Sequence, residues 1–173
     1  RAAAPHHHAA IMSAKPSLNA CNDGHAGQLL KQGTSINQAA MDEDGSTLLL
    51  WIACRNGLVG VVQLLLRSGA AVDQPSPDGC TPLFVGCDEG NVQIVRLLLG
   101  SGAAVDQATK GGFTPLFMAS QNGHLEIAQL LLGSGAAVNQ ARTEDGCTSL
   151  YIGCQKGHLE IARLLLGSGA TVD

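Results

Sequence analysis

The chain has 173 residues, a formal net charge of −4, and a hydrophobic content of 45% with only 3% aromatic residues. This hydrophobic content excludes an intrinsically disordered chain, and a mildly acidic chain with few stacking side chains is a poor candidate for binding nucleic acid. No apolar run approaches the roughly 18 residues of a membrane-spanning helix, so we also expect no membrane insertion.

Five glycines recur at a nearly fixed interval along the chain. Gly24, Gly57, Gly90, Gly123 and Gly157 are separated by 33, 33, 33 and 34 residues. A period of this size indicates one supersecondary unit that is copied along the chain, with each copy packing on its neighbours. The sequence therefore predicts a stack of repeats that offers an extended surface, in place of a single core around a closed pocket.

The region before the first complete copy divides into two parts. Residues 1–13 contain three consecutive histidines starting at His6, and we interpret this segment as a disordered tail and not as a metal site. Residues 14–41 keep the period through Cys21 and Gly24, although the end of the unit is shortened. We interpret them as a degenerate repeat that caps the stack.

Four full copies are predicted to follow. Copy one spans 42–75, copy two 76–108, copy three 109–142 and copy four 143–173.

Copy three shows the predicted helices most clearly. Thr114 is a good N-cap and Pro115 occupies the first helical position, where its missing N–H costs nothing. Gly123 is expected to end this first helix in the left-handed conformation. A second helix is predicted to bury Leu125, Ala128, Leu131 and Leu132. Helices of two or three turns are too short to be stable alone, so stability must come from stacking.

The copies depart from one another at a few positions. Copy one carries one extra residue before Trp51, and copy four gains one near Arg142, in the loop between helix pairs. Ser149 replaces the proline at the start of the first helix in copy four, which weakens that helix start. No polar cap follows Leu165, so we expect the natural chain to continue past Asp173.

The repeated motifs resemble the ankyrin repeat. The resemblance is carried by Asp78-Gly79-Cys80-Thr81-Pro82-Leu83, by Gly112-Phe113-Thr114-Pro115-Leu116 and by Gly123-His124-Leu125-Glu126-Ile127-Ala128, which recurs from Gly157. It implies an all-α-dominated repeat solenoid, built of helix–turn–helix units with short β-hairpin loops. The family's usual Thr-Pro-Leu-His lacks its histidine here. Aromatic residues occupy that position, and we expect them to replace its polar link by packing: Trp51, Phe84, Phe117 and Tyr151.

The cysteines and histidines also follow the repeat. Cys54, Cys87 and Cys154 share one position of the unit, and neighbouring helices lie about 8–10 Å apart, beyond the roughly 7 Å that a disulfide spans. Free thiols indicate a reducing compartment, the cytoplasm or the nucleus. His124 and His158, like His25, open a second helix. They are too far apart for one zinc ion, and we interpret them as local caps.

No catalytic set of residues assembles on this pattern, so we expect a non-catalytic chain without metal or cofactor. The serines near the ends of the second helices have no histidine or carboxylate in register. The function that the resemblance implies is protein–protein interaction, in a chain that we expect to be a monomer. Two alternatives stay open: a targeting or adaptor region of a larger protein (a ubiquitin-ligase subunit, a kinase or a channel), or a structural spacer.

In the ankyrin family, partners dock on the loop tips and on the exposed positions of the first helices. Carried over by position, the loop-tip candidates are Glu43, Asp44, Ser46, Pro77, Asp78, Cys80, Lys110, Phe113, Glu144 and Asp145. The helix-end candidates are Arg55, Asn56, Asp88, Glu89, Gln121, Asn122, Gln155 and Lys156. Phe113 is expected to be exposed and to anchor the partner. The acidic tips suit a basic or mixed peptide with an apolar anchor, although charged tips also serve solubility.

Overall fold

The computed structural model describes residues 49–172, which form eight helices in four pairs. In chain order they are α1 (Leu49–Arg55), α2 (Val59–Arg67), α3 (Pro82–Asp88), α4 (Val92–Gly100), α5 (Pro115–Asn122), α6 (Leu125–Gly133), α7 (Ser149–Gln155) and α8 (Leu159–Gly167). Each pair lies within one predicted copy. The predictions for the 1–13 tail, the 14–41 capping repeat and the loop of copy one, with Glu43, Asp44 and Ser46, fall outside the described residues, and the repeat boundaries stay predictions.

The first helices of copies two, three and four begin where the sequence predicts. Thr81 and Thr114 are N-caps, and each hydroxyl accepts a hydrogen bond from the backbone N–H three residues later, at 3.1 Å. Thr148 forms the same cap at 3.2 Å, even though Ser149 follows it in place of proline. The threonine cap therefore starts the helix in copy four without the help of proline.

A left-handed glycine lies directly after the first helix of copy three, as predicted. Gly123 is the C-cap of α5 with φ +82°, a backbone conformation that side chains with a Cβ avoid. This residue lets the chain reverse within two residues, and α6 begins at Leu125. The tight reversal places α6 against α5.

The helices form two columns. The inner helices (α1, α3, α5 and α7) pack in sequence order, each on the next, and the outer helices (α2, α4, α6 and α8) do the same. Each inner helix also packs on the outer helix of its own copy, and the buried apolar residues form one continuous core. This is the arrangement of a stack, in which each copy is stabilised by its neighbours.

The burial pattern corrects one prediction. In α6 the buried residues are Ile127, Ala128 and Leu131, whereas Leu125 and Leu132 are only half-buried. Ile127 and Leu131, four positions apart, face the inner helix. Leu125 is the first residue of α6 and therefore falls at the edge of the apolar stripe. The inner helix α5 is buried over all of 115–120, because α3, α6 and α7 contact it on three sides.

The loops between helix pairs are closed by backbone hydrogen bonds, although residues 49–172 contain no assigned strand. Ser76 N–H donates to Cys80 O at 2.9 Å, and Thr109 N–H donates to Phe113 O at 3.0 Å. In copy four the equivalent bond runs from Arg142 to Cys147, which encloses one more residue. The predicted β-hairpins are not shown within residues 49–172, where short closed turns join the helix pairs, and the extra residue of copy four lies within its turn.

Candidate functional site

The predicted helix-end contact positions lie at the C-terminal ends of the four inner helices. The exposed members are Asn56, Glu89, Asn122, Gln155 and Lys156, and the half-buried ones are Arg55, Asp88 and Gln121. They come from four consecutive copies, so together they form a row along the stack. A row of this kind can contact an extended partner at several points.

Asp88 and Asn122 are tied to each other across two copies. The Asn122 side-chain amide donates to the Asp88 carboxylate at 2.9 Å and to its backbone carbonyl at 3.0 Å. His124 Nε2 also lies 3.3 Å from the same carbonyl oxygen. Asp88 therefore links α3 to the next copy, and only part of its carboxylate remains for a partner.

The prediction that the histidines act as local caps is wrong. Neither His124 nor His158 makes a side-chain capping bond to its own helix. His158 Nε2 instead lies 3.1 Å from Gln121 O, so both rings reach back to the preceding copy. The rings fill the space beside the periodic glycines: a Cβ on Gly90 or Gly123 would come within 2.6 or 2.7 Å of a ring atom. The recurring Gly-His pair is the sequence signal for this joint.

The loop tips expose most of their predicted contact residues. Pro77, Asp78, Lys110, Glu144 and Asp145 are exposed. The loops of copies two and three are joined by a hydrogen bond from Lys110 N–H to Asp78 O at 3.0 Å. This bond aligns neighbouring tips.

Asp145 is engaged within its own loop. Arg142 Nε donates to its carboxylate at 2.9 Å, and Cys147 N–H donates at 3.1 Å. Partial burial raises the pKa of Asp145, but these hydrogen bonds and the Arg142 charge outweigh it, so the pKa is lowered overall. Of the two carboxylates in this loop, Glu144 is therefore the one left open to a partner.

The prediction that Phe113 is exposed is wrong, and its role as an anchor stays a prediction. The Phe113 ring is half-buried, packs edge-on against Phe117 with centroids 5.4 Å apart, and lies under the Arg142 guanidinium, whose carbon is 4.6 Å from the ring centroid. The closing hydrogen bond of the turn directs this side chain inward, and a residue from the next loop covers it.

Cys80, another predicted contact residue, is buried, with an exposed fraction of only 2%. Its carbonyl accepts the closing bond of its own turn, and its N–H donates to the Ser76 hydroxyl oxygen at 3.2 Å. Burial raises the pKa of its thiol, so Cys80 is a neutral packing residue. Its position in the turn predicted an exposed loop-tip residue, but its side chain belongs to the buried hydrophobic core.

The structure adds a cleft between α1 and α3 that the sequence did not reveal. Its lining residues are Trp51, Arg55, Cys80, Phe84, Val85, Asp88 and Glu89. The Arg55 guanidinium carbon lies 5.2 Å from the Trp51 ring centroid, and Glu89 stands at the exposed rim. Burial, and then the neighbouring Asp88 carboxylate, raise the pKa of Glu89. Trp51 and Phe84 occupy the same position of adjacent copies, and this pair of aromatic residues was the sequence signal that could have indicated the cleft.

The described cysteines are free thiols, as predicted. Cys54, Cys80 and Cys87 are buried, Cys147 is half-buried and Cys154 is exposed. Burial raises the pKa of Cys54 to about 12 and that of Cys87 further still. These buried thiols are therefore unreactive packing residues.

The described part of the chain shows neither a metal-ion cluster nor a membrane-spanning helix. Between residues 49 and 172, histidine, cysteine and carboxylate side chains nowhere gather in threes around a space that suits a metal ion. None of the helices there combines the length and hydrophobicity that a bilayer crossing demands.

The comparison with known families agrees with the geometry of the stack. A family model described as "Ankyrin repeats (3 copies)" matches residues 17–109 and 101–173. The two matches together span 17–173 and so include the sequence before α1. No curated protein matches the chain.

Proposed function

The chain belongs to the ankyrin-repeat family, and on that premise we propose that it binds a basic peptide segment of a partner protein along its inner helix ends and loop tips. Ankyrin repeats generally serve as protein–protein interaction modules, and the family is typically non-catalytic. The buried free thiols fit a reducing compartment, the cytoplasm or the nucleus.

The cleft between α1 and α3 is the observation that carries this proposal. Phe84 and Val85 give it apolar walls, and Glu89 places a carboxylate at its rim. The cleft has an accessible volume of only about 10 Å³, so an aliphatic side chain of the partner would lie over its mouth while an adjacent lysine or arginine meets the carboxylate. The apolar anchor is thus supplied by the partner, and the role first assigned to Phe113 passes to this cleft.

The charge of the surrounding surface supports a basic partner. Asp78, Glu89 and Glu144 are exposed and take part in none of the three ion pairs formed within residues 49–172. Exposed carboxylates that are not already paired attract cations over about 8–10 Å at moderate salt. Such a surface raises the association rate with a basic partner more than it raises intrinsic affinity.

The rigidity of the stack supports binding without a large ordering cost. The joint formed by Asp88, Asn122 and His124 holds α3 and α5 in register before any partner arrives. A preorganised surface loses little conformational entropy on binding, so even a modest set of contacts gives measurable affinity.

Selection from a display library of random peptides of about 12 residues tests the proposal. We expect enriched peptides to combine lysine or arginine with an aliphatic residue and to bind Glu89→Lys at least about tenfold more weakly. Glu126→Lys is the matched control, because Glu126 is an exposed carboxylate on the outer helix α6. Enrichment of acidic peptides, or equal binding to both variants, would refute the proposal.

A further inference from the structure

The loop tips carry charges whose sign alternates along the stack. Asp78 in copy two is acidic, Lys110 in copy three is basic and Glu144 in copy four is acidic again. All three side chains are exposed, and together they are here called the tip row. A partner that crosses these copies therefore meets an anionic, a cationic and an anionic tip, in that order.

The charges of the tip row are left open, whereas opposite charges on the outer helices pair with one another. Arg96 of α4 pairs with Glu126 of α6 at 2.8 Å, and Arg163 pairs with Glu160 within α8 at 3.3 Å. Within residues 49–172, no side chain of the tip row takes part in an ion pair. The tip row is therefore the place where charges of both signs remain available to a partner.

The backbone holds the three tips next to one another. Lys110 N–H donates to Asp78 O at 3.0 Å, and a Cβ on Gly112 would lie 2.9 Å from the Thr143 backbone nitrogen, so each loop touches the next. Lys110 and Glu144 both lie four residues before the threonine N-cap of their first helix, and equivalent positions of adjacent copies are about 8–10 Å apart. An extended peptide advances about 3.3 Å per residue, so about three of its residues or fewer separate the side chains that face neighbouring tips.

We propose that the tip row selects a partner segment in which one acidic side chain lies between two basic ones. The acidic side chain meets Lys110, and the basic ones meet Asp78 and Glu144. This inference rests on the proposed binding of a basic peptide and adds the order of its charges. Like charges that face each other repel, so a segment with a basic side chain opposite Lys110 binds more weakly.

Two synthetic peptides of the same composition test this order by fluorescence anisotropy. Both carry one leucine, and their charged parts read Lys-Gly-Gly-Glu-Gly-Gly-Lys in the first, the flanked peptide, and Lys-Gly-Gly-Lys-Gly-Gly-Glu in its isomer. The central charge is the same in either orientation of each peptide on the stack. We expect the flanked peptide to bind the full chain at least about threefold more tightly than its isomer, a modest factor because these charges are exposed. The difference should shrink in about 1 M salt, where charges are screened beyond about 3 Å.

Lys110→Glu should reverse this preference. The tip row is then acidic throughout and favours the isomer, whose central charge is basic. The bond from Lys110 N–H to Asp78 does not involve the side chain, and circular dichroism verifies that the variant is folded. Arg67→Glu is the matched control, because it changes the net charge by the same amount at an exposed residue of the outer helix α2 and should leave the preference unchanged.

Equal binding of the two peptides, or a preference that Lys110→Glu leaves intact, would overturn the inference. A preference that Arg67→Glu removes as well would overturn it too. Glu89→Lys separates the two proposals: if it weakens both peptides while the unmodified chain binds them equally, the charge order is wrong and the peptide site stands. If neither peptide binds the unmodified chain, both proposals fail.

Discussion

Replacing Leu116 by alanine tests the claim that neighbouring copies hold one another in place. Leu116 is 1% exposed and lies in α5, which contacts α3 on one side and α7 on the other. A cavity at this position has copies on both sides and cannot easily collapse.

The expected cost follows from the atoms removed. Leucine to alanine deletes three carbons, worth about 2.5 kcal/mol of transfer free energy at about 0.8 kcal/mol per methylene. The residual cavity adds to this, so we expect the free energy of unfolding to fall by about 3–4 kcal/mol, within the range of buried leucine truncations. Gln121→Ala, five residues later on the same helix, should be nearly neutral, because the carbonyl oxygen that His158 contacts belongs to the backbone.

Urea denaturation measures this cost at both ends of the stack, because the chain has one tryptophan, Trp51 in copy one, and one tyrosine, Tyr151 in copy four. In a linear array, weakening copy three reduces the coupling between its neighbours, so the transitions reported by the two side chains should separate in Leu116→Ala. A loss below about 1 kcal/mol, or equal losses for Leu116→Ala and Gln121→Ala, would refute the reasoning.

Three further outcomes follow from local geometry. Gly90→Ala should lower the stability measured by thermal unfolding clearly more than Gly69→Ala does. Both glycines have a positive φ, at which a side chain costs about 1–2 kcal/mol, but only Gly90 faces a histidine ring. Thr114→Ala should cost about 1 kcal/mol in urea through loss of the N-cap, and no change would contradict the cap. Unfolded thiols ionise near pH 9.0 whereas folded Cys54 keeps its proton to about 12, so stability should fall as pH rises from about 9 towards 12, with a shallower slope in Cys54→Ala.

The helices and their order were predictable because their signals are local and repeated. Thr114 caps the start of α5 and Gly123 ends it, through a hydrogen bond and a backbone dihedral angle that both lie within copy three. The sequence of that copy is therefore enough to predict the helix. The position of Phe113 was not predictable in the same way. Its ring is covered by Arg142, 29 positions later in the next loop, where copy four has an extra residue and so differs from the other copies. A rule taken from equivalent positions cannot anticipate a contact that only one pair of copies makes.

The row of predicted contact positions serves two purposes that compete for the same side chains. Asp88 lines the cleft and also accepts hydrogen bonds from Asn122 and His124 of the next copy. Its position in the repeat predicts an exposed residue, but these contacts hold it between the two copies. Glu89, one residue later, makes no such bond between copies within the described residues and is exposed. Specificity for a partner can therefore change at Glu89 without loosening the stack, whereas a change at Asp88 alters binding and stacking together. In a repeat protein, the residues best suited to recognition are those at the inner helix ends that the neighbouring copy does not already use.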